Sequence, residues 1–85
     1  MAVYKVTIAP SAAKELDGPP KRARERLALR IRCLGDDPRP HGCKKLAGQD
    51  KYRLRQGFYR VVYSVDDSSK TVDVVGAGHR KDIYR

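Results

Sequence analysis

Residues 52–65, YRLRQGFYRVVYSV, contain two runs of alternating side chains separated by Gly57. In the first run tyrosine and leucine alternate with arginine, and in the second tyrosine and valine alternate with arginine, valine and serine. A period of two predicts β-strands, and a glycine between two such runs predicts a turn. Residues 66–69, DDSS, predict a second turn, after which Val72 and Val74 begin a third strand. The C-terminal half is therefore predicted to be a three-stranded antiparallel meander.

The N-terminal half predicts one strand and two helices. Residues 3–8, VYKVTI, alternate β-branched with other side chains and predict an edge or second strand. Pro10 is suited to a helix start, and Gly18 before two prolines is suited to its end. In residues 21–34 the apolar side chains follow one stripe of a second helix and basic side chains cover the remainder. The stripe consists of Ala23, Leu27, Ile31 and Leu34.

The predicted order β-α-α-β-β-β favours an α+β fold, in which the helical hairpin packs on one face of a small, twisted antiparallel sheet. A chain of 85 residues is expected to form one domain, residues 1–85. Residues 35–42, GDDPRPHG, are expected to be a loop, because glycine can end the second helix and the prolines prevent its continuation.

The composition is strongly basic, with 19 Lys and Arg against 10 Asp and Glu and a formal net charge of +9. Such a charge favours an acidic partner, with nucleic acid first and an anionic membrane or an acidic protein as alternatives. No signal peptide and no apolar run of about 20 residues is recognised, so the chain is expected to be cytoplasmic and not membrane-bound. Cys33 and Cys43 lack the spacing of a zinc site, and they are expected to be free thiols, with no metal or cofactor.

Four motifs stand in a fixed order along the C-terminal half: YRLR at 52–55, YRVVY at 59–63, an Asp-rich turn, and GHRKDIYR at 78–85. In this order, and with this chain length, the sequence resembles the RelE/ParE superfamily of type II toxin–antitoxin toxins, and within it the RelE-like members. The resemblance covers essentially the whole chain and is most specific over residues 46–85.

The resemblance implies a RelE-like fold and a ribosome-dependent mRNA endonuclease that inhibits translation and needs no metal. It also implies three kinds of partner: a cognate acidic antitoxin, the ribosome with its mRNA, and operator DNA bound only by the toxin–antitoxin complex. Toxins of the ParE branch inhibit DNA gyrase instead. This remains the alternative, because the two branches share one fold. A plain RNA-binding module without catalysis is a third possibility.

RNA cleavage through the 2′-hydroxyl needs a base, a positive clamp for the phosphorane and an acid for the leaving oxygen. The resemblance implies that Arg60 and Arg80 bind the phosphate. Arg53 and Arg55 fall where the family carries basic residues, often lysines, one of which is proposed as the base. Because an arginine has a pKa above about 12, both are expected to stabilise charge rather than to accept a proton.

His79 is expected to transfer a proton, because it titrates near neutrality. Tyr84 matches the family's C-terminal tyrosine, which would orient or stack on a nucleobase, or form a hydrogen bond to the nucleophile. Lys44 and Lys45 would extend the series of phosphate-binding residues. The predicted catalytic residues are Arg53, Arg55, Arg60, His79, Arg80 and Tyr84. The predicted RNA-binding residues are Lys44, Lys45, Arg53 and Arg55, and no metal ligand is predicted.

Five of the six predicted catalytic residues also have a purely structural interpretation. Arg53 and Arg55 would lie on any solvent-facing strand, and Arg60 would form a cross-strand ion pair with Asp73 or a neighbouring acid. His79 would be a capping or buried polar residue, and Tyr84 would close the core.

Overall fold

A computed structural model of the protein describes residues 3–48 and 50–79, with the side chain of His79 left out of the description. Two helices and five strands follow one another in this part of the chain. They are β1 (Lys5–Ile8), α1 (Pro10–Leu16), α2 (Lys21–Cys33), β2 (Lys44–Lys45), β3 (Lys51–Gln56), β4 (Tyr59–Asp66) and β5 (Thr71–His79). The predicted α+β class and the predicted element types are confirmed.

The strands form one sheet in the order β1-β5-β4-β3-β2. The predicted meander β3-β4-β5 is antiparallel, and β1 lies at the edge beside β5, to which it runs parallel. The strand count differs from the prediction by β2, a two-residue strand that pairs antiparallel with β3. Two consecutive lysines show no alternation from which a strand could be predicted, and β2 is recognised only by its pairing with β3.

Both helices begin where prolines allow them to begin. Pro10 occupies the first turn of α1, and Pro20 is the N-cap of α2. Proline suits the start of a helix, where its missing N–H is not needed, and it prevents α1 from continuing into α2. The predicted stripe of α2 is confirmed at Leu27, Ile31 and Leu34, which are all buried.

The core lies between the helices and one face of the sheet. Leu54 of β3 together with Val61 and Tyr63 of β4 are buried there, and they pack against the buried side chains of α2. Tyr52 and Tyr59 share their parity and lie at the edge of the same core. Because side chains alternate along a strand, the arginines between them project to the opposite face.

A β-bulge interrupts the pairing of β4 with β5. Tyr63 pairs with Val74 and Val62 pairs with Gly76, so that Val75 has no partner on β4. Beyond the bulge the parity of β5 is reversed: Ala77 is buried at the core face, whereas Gly76 lies across from Val62 on the other face. A bulge of one extra residue is what produces such a reversal.

The two turns of the meander have different chemistry. Gly57, with φ of +61°, is the first residue of the two-residue turn between β3 and β4, as in a type II′ hairpin. In the turn after β4, the carboxylate of Asp66 accepts hydrogen bonds from the backbone N–H groups of Ser68 (3.0 Å) and Ser69 (3.2 Å). Both predicted turns are confirmed. In the part of the chain that is described, neither helix is long and apolar enough to span a bilayer.

Candidate functional site

The face of the sheet opposite the helices carries a cluster of basic residues, which we call the arginine face: Lys44, Arg53, Arg55 and Arg60. Lys44 of β2 pairs with Arg53 of β3, and Arg55 of β3 pairs with Arg60 of β4. Residues directly opposite each other in an antiparallel ladder project to the same side. Three adjacent strands therefore contribute positive charge to one surface, as the predicted site requires.

Lys45 does not belong to this surface. It pairs with Tyr52, which lies at the edge of the core, so its parity is that of the helical face. The pairing of β2 with β3 thus separates the two lysines that were predicted together. Of the pair, only Lys44 shares the face of Arg53.

Arg60 combines positive charge with burial. It is 7% exposed and is the one buried charged residue within residues 3–48 and 50–78. Burial of a charge is costly, and a like charge directly opposite is destabilising, yet Arg55 occupies that position. The register of β3 against β4 thus places two arginines directly opposite each other on one face.

The register of β4 against β5 tests whether Arg60 forms a cross-strand ion pair with Asp73. Asp73 lies opposite Ser64 on β4, four residues from Arg60, and its carboxylate accepts a hydrogen bond from the Thr7 hydroxyl at 2.9 Å. Arg60 itself lies opposite Gly78 on β5. A directly opposed ion pair between Arg60 and Asp73 is therefore not the arrangement in the sheet.

Two glycines of β5 line the arginine face beside β4. Gly78 lies opposite Arg60 with φ of +155°, a backbone conformation that is strained for other residues, and open space surrounds the position that its Cβ would occupy. Gly76 lies opposite Val62. Because neither glycine has a side chain, the strand next to Arg60 presents only backbone.

Three further predicted residues belong to the C-terminal motif. His79 is the last residue of β5, where its backbone pairs with Tyr59. Arg80 and Tyr84 lie outside the described residues. The roles of all three remain predictions, and the arginine face alone supplies charge stabilisation rather than proton transfer, since arginine does not deprotonate in proteins.

A second polar cluster, the loop clamp, was not predicted and consists of Tyr4, Arg39, Tyr52 and Asp67. Arg39 donates hydrogen bonds to the Asp67 carboxylate from its two terminal nitrogens, Nη2 at 2.9 Å and Nη1 at 3.3 Å. Its Nε donates to the Tyr52 hydroxyl at 3.1 Å. The Tyr4 hydroxyl donates to the same carboxylate at 2.7 Å. These bonds join the 35–42 loop to the β4–β5 turn and to the start of β1.

The loop clamp changes the titration of its members. Hydrogen bonds from Arg39 and Tyr4 lower the pKa of Asp67, and the hydrogen bond to Asp67 raises the pKa of Tyr4. Beneath the clamp, Tyr63 donates to the carbonyl of Pro38 at 2.8 Å, and burial raises its pKa. In the sequence, the only sign of this cluster is Arg39 between two prolines of the 35–42 loop. The loop shows no alternation of apolar and polar residues from which the cluster could be predicted.

Among the described residues, no group of three or more His, Cys, Asp or Glu side chains lies close enough together to hold a metal ion. Both cysteines are free thiols, Cys33 exposed and Cys43 half-buried.

The α+β sheet with a basic face opposite its helices is the architecture of a class of small toxins. A family model described as "ParE toxin of type II toxin-antitoxin system, parDE" matches residues 6–84. The chain therefore belongs to the ParE toxin family, within the RelE/ParE superfamily of type II toxins.

Solved structures of this superfamily are similar over nearly the whole chain. The archaeal RelE-RelB complex from Pyrococcus horikoshii OT3 has a TM-score of 0.83 at 32% identity and covers 92% of this chain and 96% of its own. The intact E. coli RelBE toxin-antitoxin complex has a TM-score of 0.76 at 32% identity, with coverage of 89% and 95%. Both are structures of a toxin with its antitoxin.

A curated relative matches a shorter segment. Toxin RelG of Mycobacterium tuberculosis (strain ATCC 25618 / H37Rv) is 43% identical over 42 residues, which are 49% of this chain and 46% of RelG. The matched segment of this chain thus spans less than half the length of that relative.

Proposed function

We propose that the protein is a ribosome-dependent mRNA endonuclease, the toxin of a type II toxin–antitoxin pair, which acts in the cytoplasm and inhibits translation. The observation that carries the proposal is the pairing of Arg55 with the buried Arg60 on a face that also presents Arg53 and Lys44. A phosphodiester with developing negative charge is the anion that such a cluster of guanidinium and ammonium groups fits.

In the proposed reaction, the 2′-hydroxyl of one nucleotide attacks the adjacent phosphate and forms a 2′,3′-cyclic phosphate. The bond to the 5′-oxygen breaks, and that oxygen takes a proton and leaves as a hydroxyl. Arg60 and Arg80 hold the phosphate oxygens, because a planar guanidinium binds phosphate through two hydrogen bonds. Arg53 and Arg55 stabilise the additional charge of the phosphorane.

Proton transfer is assigned to His79. A histidine titrates near the working pH, so it serves either as the base for the 2′-hydroxyl or as the acid for the leaving oxygen. Tyr84 orients the reacting nucleotide or bonds to the nucleophile. No metal takes part in this scheme, so we expect cleavage to persist in excess EDTA once ribosomal magnesium has been replaced by a polyamine.

We further propose that an acidic antitoxin neutralises the protein and that operator DNA is bound by the toxin–antitoxin complex. A groove of about 470 Å³ runs between β1 and the helices, lined by apolar side chains such as Val6, Leu16 and Ile31. Two basic residues, Arg24 and Arg32, and one acidic residue, Asp17, also line it. An amphipathic helix with apolar and acidic faces would satisfy both the lining and the charge.

A second candidate function is inhibition of DNA gyrase, which the resemblance implies for the ParE branch; the matching family model is described as a ParE toxin. It would use the same fold without cutting RNA. The basic surface would then contact an acidic protein or DNA, and the pairing of Arg55 with Arg60 would have no chemical role.

Mapping of mRNA 5′ ends on translating ribosomes after brief expression separates the two candidates. We expect new 5′ ends with the wild type, a loss of at least about 100-fold in cleavage with Arg60→Ala, and no change with Lys14→Ala, an exposed charge on α1. Growth arrest with DNA damage and intact messages would contradict the nuclease and support the gyrase function.

A further inference from the structure

Phe58 lies at the tip of the hairpin between β3 and β4, and its side chain is 74% exposed. It is the single phenylalanine of the chain. A type II′ turn demands glycine at its first central position, here Gly57, and accepts many residues at the second. The turn type therefore does not select an aromatic side chain at this position.

The surroundings of Phe58 are basic. A groove of about 260 Å³ separates the hairpin from α2, and it is lined by residues 56–59 on one side and by Arg22, Ala23 and Arg26 on the other. Arg22 and Arg26 are four residues apart and so lie on the same side of the helix. Among residues 3–48 and 50–78, no carboxylate lines this groove.

The groove lies on the helical side of the hairpin, one ladder pair from the arginine face. Gln56 and Tyr59 form the pair that closes the turn, and the next pair along the ladder, Arg55 with Arg60, projects to the opposite face. Phe58 thus lies in the turn that joins the two faces, with the guanidinium groups of α2 on one side of the sheet and those of the arginine face on the other. An exposed ring between positive charges is the arrangement that binds single-stranded nucleic acid, since the ring stacks on a base while the charges hold the backbone.

We propose that Phe58, Arg22 and Arg26 form a subsite for one unpaired nucleotide of a single-stranded RNA, at the hairpin end of the sheet. The ring stacks on the base, and the two guanidinium groups contact the flanking phosphates. The subsite deepens the proposed function and rests on it for the choice of RNA. It would hold the strand beyond the scissile phosphate, so that the arginine face meets a strand already fixed in position.

An acidic protein helix is the other partner that the charge would suit. Such a helix needs a continuous aliphatic surface for its apolar side. The groove of Val6, Leu16 and Ile31 offers this surface, whereas the hairpin groove offers one ring between guanidinium groups. RNA is therefore the occupant that the hairpin groove favours.

Fluorescence anisotropy with a labelled, unstructured RNA of ten nucleotides tests the subsite at several salt concentrations. We expect Phe58→Ala to weaken binding by about 5- to 150-fold without changing the salt dependence. Phe58→Trp should retain binding, and its emission should be quenched by RNA. Because the chain has no tryptophan of its own, that emission reports on this site alone.

The double variant Arg22→Gln/Arg26→Gln should reduce the slope of log affinity against log salt by about 1.4. Leu29→Ala, which removes an exposed apolar side chain from the same helix, and Lys14→Gln, which removes one exposed charge, should change affinity by less than about twofold. Circular dichroism melts of all variants establish that each is folded.

The inference is overturned if the wild type does not bind the oligonucleotide, or if folded Phe58→Ala binds it as the wild type does. It is also overturned if Phe58→Ala loses only antitoxin affinity. Parallel mRNA cleavage assays keep the two proposals apart. RNA binding through Phe58 without any cleavage refutes the nuclease and supports the subsite, and cleavage with binding unaffected by Phe58→Ala refutes the subsite alone.

Discussion

At the scale of single residues, the arginines of the protein fall into two kinds. Arg60 is buried opposite Arg55, whereas Arg39 at the surface is bonded to Asp67 and Tyr52. The first arrangement is the one for which we propose anion binding, and the second fixes the 35–42 loop. The two kinds of arginine therefore respond differently to substitution.

Arg60→Met is expected to change the free energy of unfolding by less than about 1 kcal/mol, because methionine keeps an apolar stem in place and the repulsion with Arg55 directly opposite is removed. The same variant should lose mRNA cleavage. Urea unfolding and the cleavage assay measure both effects. A loss of more than about 2 kcal/mol would show that Arg60 is chiefly structural.

Asp67→Asn is expected to lower the melting temperature between pH 5 and 8, since it removes the acceptor of Arg39 and Tyr4. The pKa of Asp67 is lowered in the folded protein, so its stabilisation is present above the unfolded pKa of about 3.9 and is lost as pH falls through the folded value. Melting curves of the variant and the wild type should therefore converge below about pH 4.

The control is Asp50→Asn, an exposed aspartate outside the loop clamp. It should melt with the wild type at every pH. A difference between Asp67→Asn and the wild type that persists undiminished at low pH would contradict the role of the Asp67 charge.

At the scale of elements, the β-bulge decides the composition of the arginine face. With uninterrupted alternation after Val74, Gly76 and Gly78 would face the core and Ala77 would face outward. The bulge reverses this parity, so that the glycines lie beside Val62 and Arg60 and Ala77 is buried. Helix α2 is simpler, because its apolar stripe meets the sheet at the positions that its period indicates.

Gly78→Ala is expected to destabilise the protein by about 1 kcal/mol or more, because φ of +155° is strained for alanine. Gly76→Ala is the matched control. Its Cβ would lie at 3.9 Å from Val62 and Glu15, an ordinary contact, so we expect a smaller loss. Equal free energies of unfolding for the two variants would contradict the assigned strain.

Leu27→Ala is expected to cost about 2–5 kcal/mol, because it opens a cavity between α2 and the sheet. Leu29→Ala, two residues away on the same helix, removes a side chain that is 57% exposed and should cost less than about 0.5 kcal/mol. Denaturant unfolding of both variants checks the orientation of α2, which would be wrong if the order of the losses were reversed.

At the scale of the whole molecule, separate surfaces suit different partners. The arginine face offers positive charge and the hairpin groove offers an aromatic ring beside two arginines, whereas the groove of Val6, Leu16 and Ile31 offers apolar surface with two arginines and one aspartate in its lining. We expect RNA on the first two surfaces and the antitoxin in the apolar groove, so that substitutions should separate the two activities.

Ala28→Arg places a long side chain in the apolar groove and should weaken antitoxin binding by about tenfold or more, which corresponds to about 1.4 kcal/mol. Cleavage of mRNA should be retained, since the arginine face is untouched. Leu29→Arg, the adjacent exposed position outside that groove, is the matched control. Titration with antitoxin peptide measures the affinity, and equal affinities of the two variants would remove the groove as the antitoxin site.

The sequence by itself determined the fold class, the helical stripe of α2, the two hairpin turns and the family, because each depends on local periods or on motifs of neighbouring residues. Tertiary structure decided the parallel pairing of β1 with β5, the short strand β2, the separation of Lys44 from Lys45 and the parity of Gly76 and Gly78. Each of these depends on the register between strands that are distant in sequence, and a period along one strand does not specify its register with another.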